Sequence, residues 1–193
     1  MDLILASTSR YRKSLLERLQ IPFRCQAPGT DESPLAGEAP EAMARRLALS
    51  KAWAVAQDNP ESLVIGSDQV ASLEGRPVGK PGNHARAREQ LHHSSGKSII
   101  FYTGLALIRA SDGFEHSSCV AFTVHFRELS EAQIEAYLAK EQPFDCAGSF
   151  KCEGLGIALF ASTEGEDITA LEGLPLIALT SALSAAGLEV LQA

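Results

Sequence analysis

Leu5-Ala6-Ser7-Thr8-Ser9-Arg10-Tyr11-Arg12-Lys13 sets the reading of this chain. The apolar residues before it predict a short strand over about 2–6, and a helix follows over about 9–19, its Leu15, Leu16 and Leu19 recurring at helical spacing. A strand therefore feeds a hydroxyl-rich turn that feeds a helix. The first turn of a helix presents unpaired N–H groups and the positive end of its dipole, so anions settle there. Arg10, Arg12 and Lys13 crowd that same turn, where each exposed cation opposes the dipole by about 0.3–1 kcal/mol. Breaking the local rule three times points to an anionic partner. Taken alone, a plain Ser N-cap with solvated basic neighbours explains the segment equally well.

Working outward, residues 21–27 predict a second strand, and 28–40, rich in proline, glycine and acid, a loop. Residues 41–56 predict a helix with Met43, Leu47, Ala48 and Ala52 on one side. Ser62–Gly66 predicts a short buried strand running into Ser67-Asp68-Gln69, and 70–82 a hairpin around Glu74-Gly75. A helix at 83–93 precedes two long strands, about 98–109 and 115–127, joined through Asp112-Gly113, a hairpin signal. Ser130, with Gln133 at the capping-box position, opens a helix to about 140. The stretch 143–156 is Gly-rich and polar, Ile157–Phe160 predicts a strand, and Pro175 starts a last helix to about 186. Alternation of helices and strands, with hairpins included, predicts an α/β fold on a mixed sheet. At 193 residues the length suits one domain, 1–193, with room for two lobes around a cleft.

The composition narrows the function. Apolar residues make up 45%, ordinary for a packed core. No run of 18 or more apolar residues occurs, and the N-terminus lacks the basic lead and long apolar stretch of a secretory signal. Cys25, Cys119, Cys146 and Cys152 form no Cys-x-x-Cys pair, so reduced thiols in a cytoplasmic protein are expected. A net charge of −7 argues against nucleic-acid binding, which needs a basic surface. An anionic small substrate stays open, provided cations gather locally and a divalent metal screens the rest.

Four further clusters could carry such chemistry. Asp68 ends an apolar strand, where it can activate water or help hold a metal; an Asx-turn closing the strand is the plainer reading. Lys80, within Gly79-Lys80-Pro81, and Lys51, late in the second helix, could neutralise phosphate oxygens, though single lysines are usually only solvated. Thr30-Asp31-Glu32 could offer carboxylates to magnesium, or be a solvated acidic loop. Ala147-Gly148-Ser149-Phe150-Lys151-Cys152-Glu153-Gly154 reads as a close-fitting loop. The five histidines show no metal-ligand spacing, and neither a Gly-x-x-x-x-Gly-Lys-Ser/Thr loop nor a Gly-x-Ser-x-Gly elbow occurs.

In this order the clusters resemble the Maf family of nucleotide pyrophosphatases. The matching stretches are Leu5-Ala6-Ser7-Thr8-Ser9, Asp31-Glu32, Ala48 through Ala52, Ser67-Asp68, Gly79-Lys80-Pro81, Tyr102-Thr103-Gly104, Ala147-Gly148-Ser149-Phe150 and Gly173-Leu174-Pro175-Leu176. Each is weak alone; joint order and spacing make the match strong, and it covers nearly the whole chain. The resemblance implies a single Maf-like unit akin to the ITPase fold, a mixed twisted sheet flanked by helices, with two lobes around a central cleft. It implies a divalent metal, magnesium or manganese, and hydrolysis between the α and β phosphates. It gives Asp68 the proton of the attacking water, Ser7, Arg12, Lys51 and Lys80 the substrate, and Glu32 with Asp68 the metal. A homodimer is the family-level expectation for partners.

Three departures from the common family pattern resemble the branch acting on 7-methyl-GTP, as opposed to the branch acting on dTTP and UTP. Tyr11 stands where an arginine is common, Gln69 where threonine is, and Glu153 where glutamine is. Physical chemistry supports the same choice. N7-methylation makes guanine cationic, and an aromatic face such as Tyr11 attracts a cation by about 0.5–2 kcal/mol. A carboxylate such as Glu153 accepts from the guanine N1–H and amino group with charge assistance. The competing expectations are a pyrophosphatase for dTTP, UTP or other modified nucleotides, and a non-catalytic nucleotide-sensing regulator of cell division.

Overall fold

The computed structural model describes residues 2–191. Its first elements are β1 (Leu3–Leu5), α1 (Arg10–Glu17), β2 (Arg24–Cys25), α2 (Pro40–Ala56), β3 (Leu63–Leu73) and β4 (Arg76–Val78). There follow α3 (His84–Ser94), β5 (Ser98–Arg109), β6 (Phe114–Phe126), α4 (Glu131–Glu141), β7 (Phe160–Glu164), α5 (Ile168–Glu172) and α6 (Leu176–Ala185). The sheet is seven-stranded in the order β2-β1-β3-β5-β6-β7, with β4 on β3. β1 runs parallel to β2 and β3, with Ile4 opposite Arg24 and Val64. β4 is antiparallel to β3 and β7 to β6. The sheet is mixed, as the alternation of elements requires.

The chain divides into two units. The first holds the residues up to Gln69, Tyr102–Val120 and the chain from Asp167 onward. Its strands follow the period-2 rule, by which neighbouring side chains face opposite ways. Leu3, Leu5, Leu63, Ile65, Leu105 and Leu107 enter one core with Leu15 and Leu16 of α1 and Leu179 and Leu183 of α6. Ile4, Ala6, Val64, Ala106 and Ile108 enter another with Ala48, Ala52 and Val55 of α2. Three strands buried on both faces explain why they read as continuous apolar runs.

The second unit holds Val70–Phe101 and Ala121–Glu166. Its core includes Phe101, Phe126, Phe150 and Phe160, edge-to-face with ring centroids 4.9–5.6 Å apart, the arrangement ring quadrupoles favour. α3 faces α4 through a polar chain in which Arg88 and His92 meet Glu131, while Arg88 and His84 meet Glu135. The expected capping box on α4 is present, Ser130 and Gln133 each bonding the other's backbone.

Three expectations need correction. The strand expected to stop at Gly66 continues to Leu73, so Asp68 lies within a strand instead of closing one. Residues 157–160, expected as a strand, fall mostly in a 3-10 turn over Leu155–Leu159; the Gly156 N–H turns back to the Lys151 carbonyl (3.0 Å), and β7 starts only at Phe160. The short helix α5 was not expected at all. Asp167 caps it, accepting from Thr169 N and Oγ1, and its second oxygen accepts from the Ile177 N–H of α6.

Candidate active site

The site in the first unit begins with two glycines. A Cβ at Gly66 of β3 would lie 2.1 Å from the Ala48 carbonyl oxygen, and one at Gly104 of β5 2.1 Å from that of Ala44. The backbone of α2 therefore rests directly on the two strands, and no other residue type allows that approach. The buried stripe of α2 includes Ala44, Leu47, Ala48, Lys51, Ala52 and Val55, so Lys51 points at the sheet. Asp68 shares the Gly66 face of β3, two residues on. The Lys51 ammonium meets Asp68 Oδ1 at 2.6 Å and Glu32 Oε1 at 2.7 Å.

This triad is unequal in its exposure. Lys51 and Asp68 are 5% and 7% exposed, whereas the Glu32 side chain is 59% exposed. A buried charge is tolerated when paired and hydrogen-bonded, and Lys51 has both partners. Asp31, next to Glu32, is engaged elsewhere: its carboxylate accepts from the Ser33 hydroxyl and N–H, which hold its pKa below the usual carboxylate value. The loop carrying both acids is tied to α2 by Arg46, bidentate on Glu38 at 2.6 and 2.7 Å and bonded to the Ser33 carbonyl.

The opposite face of the same strands holds the segment after Asp167. Ser67, fully buried, lies 2.9 Å from the Gly104 carbonyl and 3.0 Å from that of Gly173. Thr103 donates to the Ala170 carbonyl at 2.8 Å, and the Gln69 amide to those of Ala170 and Leu171 at 2.7 and 3.0 Å. Gly173 then accepts from Arg12 Nε at 2.8 Å. Arg12 is thus aimed by a backbone carbonyl that Ser67 also fixes. Burial draws its pKa down, and the charges of Asp68 and Glu32 push it back up; the guanidinium lies within the field of both acids.

At the start of α1, Ser9 is the N-cap, accepting from Arg12 N at 3.4 Å, and buried Ser7 accepts from Ser9 N at 3.1 Å. The three cations of this turn differ in partner: Arg12 goes to Gly173, Lys13 to Glu17 at 3.6 Å, and Arg10 to Tyr11. Arg10 bonds the phenol at 2.9 Å and lies over the ring, 4.9 Å from its centroid. Tyr11 already pairs with a cation here.

In the second unit, exposed Lys80 sits in the loop between β4 and α3. Lys151 donates from Nζ to the Glu141 carbonyl at the end of α4 (3.1 Å) and from its backbone to the Tyr137 hydroxyl, so its side chain satisfies one of the helix's last carbonyls. Burial raises the Tyr137 hydroxyl's pKa. Glu153 is exposed. The four cysteines are free thiols. Burial pushes Cys119 up to about 11 and Cys146 up to about 12, which holds both protonated at neutral pH and unsuited to nucleophilic attack.

The first unit thus brings together Asp68, Lys51, Glu32 and Arg12 of the expected residues, while Lys80 and Glu153 belong to the second. Sequence reasoning missed Ser67 as the group fixing the Gly173 carbonyl, and Asp167, which joins α5 to α6; the Asp-x-Thr spacing of a helix cap was the available signal.

An α/β fold in which a helix start rich in cations adjoins a buried lysine–carboxylate pair defines a class of site suited to phosphate anions. A family model for Maf-like proteins matches residues 2–186, and the chain belongs to that family. A Pseudomonas aeruginosa protein named 7-methyl-GTP pyrophosphatase is 55% identical over 189 residues, 98% of each chain. One of Albidiferax ferrireducens with the same name is 54% identical over 191 residues, covering 99% of this chain and 96% of that one. The chain thereby stands among nucleotide pyrophosphatases, hydrolases of acid anhydrides. Among solved structures, the Staphylococcus aureus Ham1 protein is similar with a TM-score of 0.49 and 13% identity, over 89% of this chain and 96% of that one.

Proposed function

We propose that this chain hydrolyses 7-methyl-GTP to 7-methyl-GMP and diphosphate, with Asp68 activating the water. The observation that carries the reading is the Lys51–Asp68 contact of 2.6 Å, set beside an arginine that feels the same carboxylate. The names of the full-length relatives support the substrate. Asp68 takes a proton from water, the water oxygen bonds to the α-phosphorus, the bond from that phosphorus to the α–β bridging oxygen breaks, and diphosphate leaves. Lys51 fixes the orientation of the carboxylate. Arg12, Ser7 and Lys80 hold phosphate oxygens. Catalysis of this kind is mostly positioning and charge stabilisation. Within this reading the whole chain, 1–193, works as one Maf-like unit in the cytoplasm and pairs as a homodimer. Among the described residues no helix is long and apolar enough to cross a membrane.

The family implies a divalent metal. Magnesium is typically held by one or two carboxylates, with water and substrate phosphates completing the shell. Asp68 and Glu32 fit that donor set, since an oxygen of each already lies within 2.7 Å of one cationic nitrogen. Among the described residues no group of three or more His, Cys, Asp or Glu forms a complete cage, so substrate and water would supply the remaining ligands. When bound, the metal would neutralise phosphate charge as a Lewis acid.

Selectivity is assigned to Tyr11, Gln69 and Glu153. The Gln69 amide holds the 170–171 carbonyls, so it shapes the wall and leaves base contact to the other two. The experiment is a panel of 7-methyl-GTP, GTP, dTTP and UTP with magnesium or manganese, reading diphosphate release. Highest kcat/KM for 7-methyl-GTP, lost with chelator, is expected. Equal rates across the panel would end the specificity reading, and nucleotide binding without diphosphate release would favour a sensor.

A further inference from the structure

We propose that Gln90 of α3 is a positioning residue that sets Lys80 for the triphosphate. This rests on the assignment of Lys80 to phosphate given above. Gln90 Nε2 donates to the Gly79 carbonyl at 3.1 Å. That carbonyl and the Lys80 N–H belong to one rigid peptide plane, so the bond fixes the plane from which the lysine departs. Gln90 Oε1 accepts from the hydroxyl of Ser149 at 2.5 Å.

Ser149 gives the glutamine a firm base. It is fully buried and held in the left-handed region at φ 61°, a conformation costly for a non-glycine residue and retained where surroundings enforce it. Its neighbour Phe150 is locked into the aromatic core against Phe101, Phe126 and Phe160. The Gln90 main chain is tied as well, its carbonyl accepting from Ser94 Oγ at 2.8 Å. An amide with one end on a rigid core loop and the other on the Lys80 loop transmits the position of the first to the second.

The Lys80 loop needs such a tie. β4 ends its pairing at Val78, opposite Ala71. The next fixed points are Gly82 N, donating to the Phe144 carbonyl at 3.0 Å, and Asn83, whose side chain caps α3. Between them stand Gly79, Lys80 and Pro81, and the bond from Gln90 holds Gly79. A lysine is a flexible point charge, so its reach depends on where its backbone is held. Lys151, in the same unit, is held in another way. It closes on the Glu141 carbonyl at 3.1 Å and serves α4, whereas Lys80 follows the Gly79 carbonyl that Gln90 holds.

The test is a double-mutant cycle in the full-length protein with 7-methyl-GTP and magnesium. Gln90→Met keeps length and volume and removes both hydrogen bonds. It is expected to raise KM about fivefold, the size of one ordinary hydrogen bond, with kcat within about twofold. Lys80→Met is expected to raise KM further. In the Lys80→Met background Gln90→Met should add almost nothing, because the group it positions is gone. Ser149→Ala, which removes only the hydroxyl on Oε1, should raise KM in the same direction, and it carries the test if Gln90→Met fails to fold. An unchanged KM in Gln90→Met and Ser149→Ala, with a raised KM in Lys80→Met, would overturn the role of Gln90 alone. Full additivity of Gln90→Met and Lys80→Met would overturn it too. An unchanged KM in Lys80→Met would instead remove the phosphate role of Lys80 and this inference with it.

Discussion

The two units solve the same problem, holding a lysine in place, by different physics. In the first, Lys51 is buried between Asp68 and Glu32 and reaches them because two glycines let α2 lie on bare strands. In the second, Lys80 stands in solvent, and the nearest hold on its backbone is a neutral amide bond from Gln90. A buried charge pair is rigid and costly to break; a neutral hydrogen bond at the surface contributes only about 1 kcal/mol. The contrast suits the proposed roles. The group proposed to orient the Asp68 carboxylate is held by a buried charge pair, and the side chain proposed to meet the phosphate tail stands exposed on a tethered backbone.

That contrast can be broken at several points. The largest effect is expected from Gly66→Ala, whose new methyl would overlap the Ala48 carbonyl and the Ala52 N–H. Lifting α2 off β3 should cost about 3 kcal/mol or more and separate Lys51 from Asp68; denaturant unfolding of this variant against wild type measures it. Lys51→Met comes next. It leaves Asp68, 11% exposed at the side chain, without its cation, and about 3 kcal/mol of lost stability is expected. The matching change in the second unit, Lys97→Met, removes an exposed pair with Glu74 and should cost under about 1 kcal/mol. Equal losses in these two variants would mean that the burial difference is energetically irrelevant.

Smaller effects sharpen the picture. Combining Tyr11→Arg, Gln69→Thr and Glu153→Gln should shift the kcat/KM ratio of 7-methyl-GTP to UTP toward UTP by at least about tenfold, roughly 1.4 kcal/mol. The smallest effect concerns acid. The Arg46 hydrogen bond holds the Glu38 carboxyl below its ordinary value. Its stabilising contribution is therefore present above the unfolded-state pKa of about 4.3 and is lost as pH falls through the lower folded value. Glu38→Gln should flatten the fall in melting temperature below about pH 4.3, and an unchanged acid limb would remove Glu38 as the tether of the loop that carries Glu32.

How much of this was legible in the sequence differs by kind of residue. The three buried strands, the helix boundaries near 40–56 and 84–94, and the α4 capping box follow from periodicity and local capping chemistry, which act over a few residues. The burial of Lys51 was half legible: it lies four residues after Leu47 and three after Ala48, on the same stripe of α2, yet a lysine there reads as solvated until its partners are known. Gly66 read as a strand end because the reason for it is a helix backbone fourteen to eighteen residues upstream. The strand through Asp68 was cut short because a polar triplet interrupts its apolar run, and its two faces serve different partners, Lys51 on one and the 170–173 carbonyls on the other. Gln90 left no trace, since a glutamine in a helix is ordinary and its two partners, Gly79 and Ser149, lie 11 and 59 residues away.

Asp68→Asn tests the central claim most directly. The amide keeps the shape and cannot take the proton from water, and Lys51 retains Glu32 as its counter-charge. With a wild-type circular dichroism spectrum, kcat for 7-methyl-GTP should fall about a thousandfold, within the range for loss of a general base. A folded variant within about tenfold of wild type would contradict the assignment of Asp68 as the group that activates water.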